Sequence, residues 1–144
     1  KREVIAQVKF YYFDVGVYLV LRPKGPLDTP EELRGPALET LFLQHIRAMN
    51  DYYYLGYDIF FWRTRSQLEI DFILYGEKGL IAFEIKNNAR LTPKDFKGLK
   101  AFKSDYPMAR CYMVYLGDRE YYDEDIQVIP MTNVLFNLLT IMNP

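Results

Sequence analysis

One cysteine, Cys111, is all the thiol this chain of 144 residues contains. A disulfide or a cysteine-built zinc site within one chain is therefore excluded, and a reducing, cytoplasmic setting is the expected home. No apolar run approaches the roughly 20 residues a helix needs to span a bilayer, and no signal-peptide pattern opens the chain, so no membrane partner is expected. Net charge is nearly absent: 18 basic against 19 acidic side chains leave −1, with a pI near 5.9. A protein that binds nucleic acid by charge alone should be basic, so any such binding must rest on a local patch. There is no internal repeat, low-complexity stretch or interdomain linker. A Gly-x-x-x-x-Gly-Lys-Ser/Thr phosphate loop is also missing.

What the chain has in quantity is aromatics, 13 Tyr and 10 Phe with one Trp. Residues 1–144 suit one domain with a real core. The Val8-Lys9-Phe10-Tyr11-Tyr12-Phe13 run predicts a strand, and Asp14 a short helix through Leu21. Thr29-Pro30-Glu31-Glu32 is a capping box with proline at the first helical position. Gly35-Pro36 predicts a break, giving a short helix and then a longer one to about Asn50. Strands are expected over Tyr57–Thr64, Gln67–Tyr75 and Leu80–Asn87. A helix should follow from Thr92 to about Asp105, then strands at Cys111–Leu116 and Ile126–Ile129, and a closing apolar helix at Asn133–Met142. Asp118–Asp125 reads as an acidic loop. This order predicts a mixed α/β domain with helices covering a sheet.

The stretch from Glu69 to Lys86 carries the chemistry. Two strand-like arms flank the turn Gly76-Glu77-Lys78-Gly79, which predicts a hairpin. Glu84 and Lys86 are two apart and share a face, and Asp71 lies on the partner arm. Carboxylates and a lysine within apolar strands are expensive unless something binds them. Asp71 and Glu84 suit a hard cation such as Mg²⁺ or Mn²⁺, with the Ile85 carbonyl as a further ligand. Lys86 would then orient an attacking water or steady charge developing on a phosphate. Glu69 is expected to pair with Arg63 or Arg65.

On the long helix, Leu38, Leu41, Phe42, His45, Ile46 and Met49 share an apolar arc. Glu39 flanks it and could join the acids, while Gln44 and Arg47 point away. Lys94, Lys97 and Lys100 form a stripe on the following helix that could hold phosphates, and Arg63, Arg65 and Arg90 could add charge at the same rim. The acidic loop would oppose them. His45 and Trp62 are expected to be packing residues, and Cys111 inert.

The pattern Glu39 … Glu69-Ile70-Asp71 … Phe83-Glu84-Ile85-Lys86 resembles the PD-(D/E)XK phosphodiesterase superfamily of restriction endonucleases, Holliday-junction resolvases and repair nucleases, with Ile70 in place of the motif's proline. More narrowly, Phe10–Gly16, Gly35–Glu39, Phe61-Trp62-Arg63 and the Glu-Ile-Asp/Glu-Ile-Lys pair resemble an uncharacterised domain found at the C-terminus of prokaryotic AAA+-type ATPases. The resemblance spans about Lys9 to Val134. It implies a restriction-endonuclease-like core of αβββαβ order. It also implies metal at Asp71 and Glu84, water assistance by Lys86, and Glu39 completing the acidic cluster. The chain is then expected to be a C-terminal piece of a longer ATPase protein that acts on DNA, with self-association a further expectation. The competing expectation is a non-catalytic module of such an ATPase, binding nucleic acid or a protein, or a structural dimerisation domain.

Overall fold

The computed structural model describes residues 30–144, with side chains from Gly35 onward. The expected strand at residues 8–13, the helix after it and the Thr29 cap lie outside the described residues.

The first described element, α1 (Pro30–Tyr52), is one continuous helix with Pro36 inside it. The expected break does not occur. A proline normally clashes with the Cβ of the residue before it, and here that residue is glycine. Past Pro36 the helix is held by the burial of Ala37, Phe42, Leu43 and Ile46. His45 is half-buried, its Nδ1 2.8 Å from the Leu41 carbonyl.

Three strands follow as a meander, β1 (Asp58–Arg63), β2 (Glu69–Gly76) and β3 (Gly79–Ile85). The tight β2–β3 turn closes between Gly76 and Gly79, and Gly79 takes a φ of +125°, which only glycine adopts readily. Thr92-Pro93-Lys94-Asp95 starts a helical segment as expected, first as a 3-10 turn (Pro93–Phe96) and then as α2 (Lys97–Asp105). Next come β4 (Arg110–Tyr115), β5 (Tyr121–Asp123) and β6 (Ile126–Pro130). β5 lies inside the segment read as an acidic loop. The closing helix is two pieces, α3 (Met131–Phe136) and α4 (Leu138–Met142), broken at Asn137.

All six strands form one mixed sheet in the order β1-β2-β3-β4-β6-β5. Pairing is antiparallel from β1 to β3, parallel from β3 through β4 to β6, and antiparallel again at β5. One face packs Phe72, Leu74, Phe83, Ile85 and Val114 against α1, α3 and α4. The other packs Ile70, Ile73, Ala82, Met113 and Val128 against α2. Among the described residues no helix is long and apolar enough to cross a membrane.

Candidate active site

Alternation along β3 sets the frame. Phe83 and Ile85 face α1 while Ala82 faces α2, so Glu84 falls on the α2 side. On β2 the alternation fails. Phe72 and Leu74 face α1, yet Ile70 and Ile73 both face α2. The pairing with β1 shows why: Phe60 pairs with Ile73 and Trp62 with Ile70, so one residue of β1 opposes two of β2. Asp71 is the residue outside the alternation. Bulges of this kind re-aim side chains next to functional sites.

Regular β2–β3 pairing ends at Phe72 and Phe83. Beyond that point the two acids link the strands themselves. The Ile85 N–H donates to Asp71 Oδ2 at 2.7 Å, and the Asp71 N–H to Glu84 Oε2 at 3.2 Å. The Ile85 backbone is thereby set against the Asp71 carboxylate. Lys86 Nζ lies 3.3 Å from Glu84 Oε1. Behind the acids stands an apolar wall, in which Phe42 packs edge-on against Phe83 at 5.0 Å and lies 5.8 Å from Phe72.

Asp71 and Glu84 are only 5% and 7% exposed. Burial, and then the charge of Asp71, push the Glu84 carboxyl well above its ordinary value, with Lys86 pulling the other way. Burial alone would lower Lys86, but Glu84 outweighs it together with Asp71 and Asp95, and its ammonium ends up raised. Asp95 is itself anchored, accepting the Thr92 N–H at 2.8 Å. The cluster is thus two buried acids that resist sharing full negative charge, with a firmly protonated lysine beside them.

Glu39 is half-buried on α1. Among the described residues, no group of three or more His, Cys, Asp and Glu side chains comes together so as to hold a metal ion, so a three-acid cluster with Glu39 is not present. Two carboxylates meet the requirement of Mg²⁺, which takes one or two and fills its shell with water and phosphate oxygens. The chemistry of the two carboxylates, Asp71 and Glu84, is compatible with that ion.

The basic residues are scattered. Arg63 pairs with Glu69 at 3.3 Å, as expected, and also donates to Gln67. Arg65, Arg90, Lys94 and Lys97 are exposed. Lys100 is held by Asp123 and Glu124 at 3.2 and 3.3 Å, so the lysine stripe is interrupted by the acidic segment expected to oppose it. Trp62 packs against Phe102 in the core, and burial pushes the Cys111 thiol up to about 11.

Arg47, expected to point away with Gln44, instead lines a cleft on the α1 side that also reaches Asp71. Leu43 is buried in the α1 core, and Arg47 follows it by four residues, continuing its row toward the helix end. That spacing was the available signal.

The fold and the site define a mixed α/β domain with two acids and a lysine where its second and third strands part. The chain belongs to the family described as a domain of unknown function, DUF4143, whose model matches residues 34–134. No curated protein and no solved structure matches the chain.

Proposed function

We propose that this chain is a magnesium- or manganese-dependent nuclease-type domain with a PD-(D/E)XK core, acting on phosphodiester bonds of DNA and joined to an ATPase domain. The observation that carries the reading is the buried Asp71–Glu84 pair at the opened end of β2 and β3, with Lys86 against it. The antiparallel meander followed by a parallel β4, with the acids on the second and third strands, supports the same core.

Asp71, Glu84 and the Ile85 carbonyl would hold the ion, which when bound supplies Lewis-acid stabilisation of a phosphoryl oxygen. The chain's own residues do the rest. The Ile85 N–H fixes the Asp71 carboxylate, and Glu84 fixes Lys86. The protonated Lys86 donates hydrogen bonds to a water or to the phosphate, where negative charge grows during attack. Phe72 and Phe83 keep bulk water from behind the acids.

The test is cleavage of supercoiled, branched and single-stranded DNA with Mg²⁺ or Mn²⁺ by the wild type, Asp71→Asn and Lys86→Ala. We expect metal-dependent cleavage by the wild type and a loss of at least about 100-fold in each variant. A wild type that cuts none of the three DNAs would sink the proposal.

A non-catalytic module of an ATPase is the second reading. It is favoured by the engagement of Lys100 and by the exposure of Tyr52, Tyr54 and Phe136. Calorimetric titration with Mg²⁺ separates the two readings, because the module needs no metal at Asp71 and Glu84.

A further inference from the structure

The end of α1 carries residues that a helix end disfavours. Its carbonyls leave negative partial charge there, which a base would complement. The last turn instead holds no base, and its charged residue is the acid Asp51. Asp51 is exposed, and among the described residues neither it nor Arg47, one turn earlier, takes part in an ion pair. Tyr54 closes the helix with a φ of +53°, in the left-handed region where helix ends commonly place glycine. Its ring is 91% exposed. Tyr52 and Tyr53 are exposed as well, their rings edge-on to each other at 5.0 Å.

These departures meet in one place. Ala48, Met49, Asp51, Tyr52 and Tyr53 line an open hollow of about 550 Å³. The frame beneath it is fixed. Asn50 donates to the Tyr57 carbonyl at 2.8 Å and accepts the Tyr57 N–H at 2.9 Å. The Leu55 N–H donates to the Asn50 carbonyl at 3.0 Å. Tyrosines on such a frame give up little freedom when they bind. The Gly56 carbonyl lies against Gly76, which sets this end of α1 beside the β2–β3 turn, at the far end of those strands from Asp71 and Glu84.

An unpaired carboxylate, a helix end of the same sign and two tyrosine rings in one hollow favour the same guest, a flat cation. Arginine has that form. Its guanidinium stacks on tyrosine and meets a carboxylate in a bidentate fork. A nucleic-acid backbone, by contrast, is repelled by Asp51 and by the helix end. We propose that this hollow docks a protein partner through an exposed arginine, which the Tyr52–Tyr53 pair holds by stacking and Asp51 by charge. The site is remote from the acid pair, so it stands or falls apart from the nuclease reading.

The test is fluorescence anisotropy at low salt, with fluorescein-labelled oligoarginine, oligolysine and oligoglutamate as probes. Oligoarginine should bind about 2- to 5-fold more tightly than oligolysine, and oligoglutamate not at all. Tyr52→Ala and Tyr53→Ala should each weaken oligoarginine about 2- to 5-fold, while Tyr52→Phe and Tyr53→Phe keep the wild-type affinity. Asp51→Asn should weaken it about 2- to 5-fold as well. The same variant should raise the thermal midpoint of the free protein, because it removes an acid from a helix end that disfavours one. Asp125→Asn, between β5 and β6, is the control and should change the affinity less than Asp51→Asn does. No binding of oligoarginine, equal binding of oligolysine or unaltered affinity in the two alanine variants would overturn the proposal. So would an equal loss in Asp125→Asn, or a lower midpoint in Asp51→Asn. Cleavage of DNA, measured separately, decides the nuclease reading alone.

Discussion

The Glu84 carboxyl is held above its ordinary value of 4.5 by burial and by Asp71, and this ties stability to pH. The unfolded chain releases this proton near 4.5, whereas the folded chain keeps it. Stability contributed by Glu84 is therefore undiminished below that value and declines as pH rises toward the raised folded one. Thermal midpoints without divalent metal, measured from about pH 4.5 to about pH 8, should fall more steeply for the wild type than for Glu84→Gln. Parallel profiles would mean that Glu84 titrates as an ordinary acid. At this scale the sequence was readable where spacing decides. Glu84 and Lys86 share a face because they are two apart, and Asp71 sits opposite because the turn between the arms is short. Arg47 was only half readable: its spacing from Leu43 puts it on the same row, but which strands that row meets depends on how α1 packs against the sheet.

Elements are joined at close quarters in one place that a single methyl group tests. Gly98 of α2 lies so near β2 that a Cβ there would meet the Glu69 carbonyl oxygen. Backbone on the far side cannot rotate away as a side chain would. Gly98→Ala should therefore cost about 1–3 kcal/mol, seen as a lower urea midpoint with an unchanged slope; a midpoint equal to the wild type's would show that α2 slides freely. The elements the sequence misplaced share a physical pattern. Pro36 reads as a breaker, but the glycine before it removes part of the clash, and a buried face begins directly after it at Ala37. Tyr121-Tyr122-Asp123 reads as a charged loop because β5 is a short edge strand with two exposed tyrosines and needs few apolar residues. The closing helix reads as continuous because its apolar spacing persists across Asn137, whose φ of −103° and ψ of 10° nonetheless divide it.

Across the whole molecule, the last helix is tied back to the start of the sheet. The Tyr57 hydroxyl donates to the Met142 carbonyl at 2.6 Å, and Arg110 to that of Ile141 at 2.8 Å. Carbonyls at a helix end have no partner within the helix, so these side chains supply one, and Arg110 adds a positive charge where the helix dipole favours it. Tyr57→Phe should leave the buried Met142 carbonyl unsatisfied and cost about 1–3 kcal/mol. Chemical denaturation measures this directly, and a loss below the error of the fit would show that the tie is not structural. The layered α/β plan was legible from the alternation of strand and helix patterns. The tie was not, since it joins residues 85 apart in sequence.

The extra residue in β2 has a consequence for how such a domain changes over generations. Asp71 is the position by which β2 outruns β1, so the sheet would run more regularly if that codon were simply deleted. Ile70 and Phe72 would become neighbours, and the two would again fall on opposite faces, as they already do. A lineage released from the need for the acid could lose it by an in-frame deletion that also repairs the strand. The same deletion would strip the Ile85 N–H of its partner and leave Glu84 alone with Lys86. Its presence in this chain is therefore not explained by sheet regularity alone.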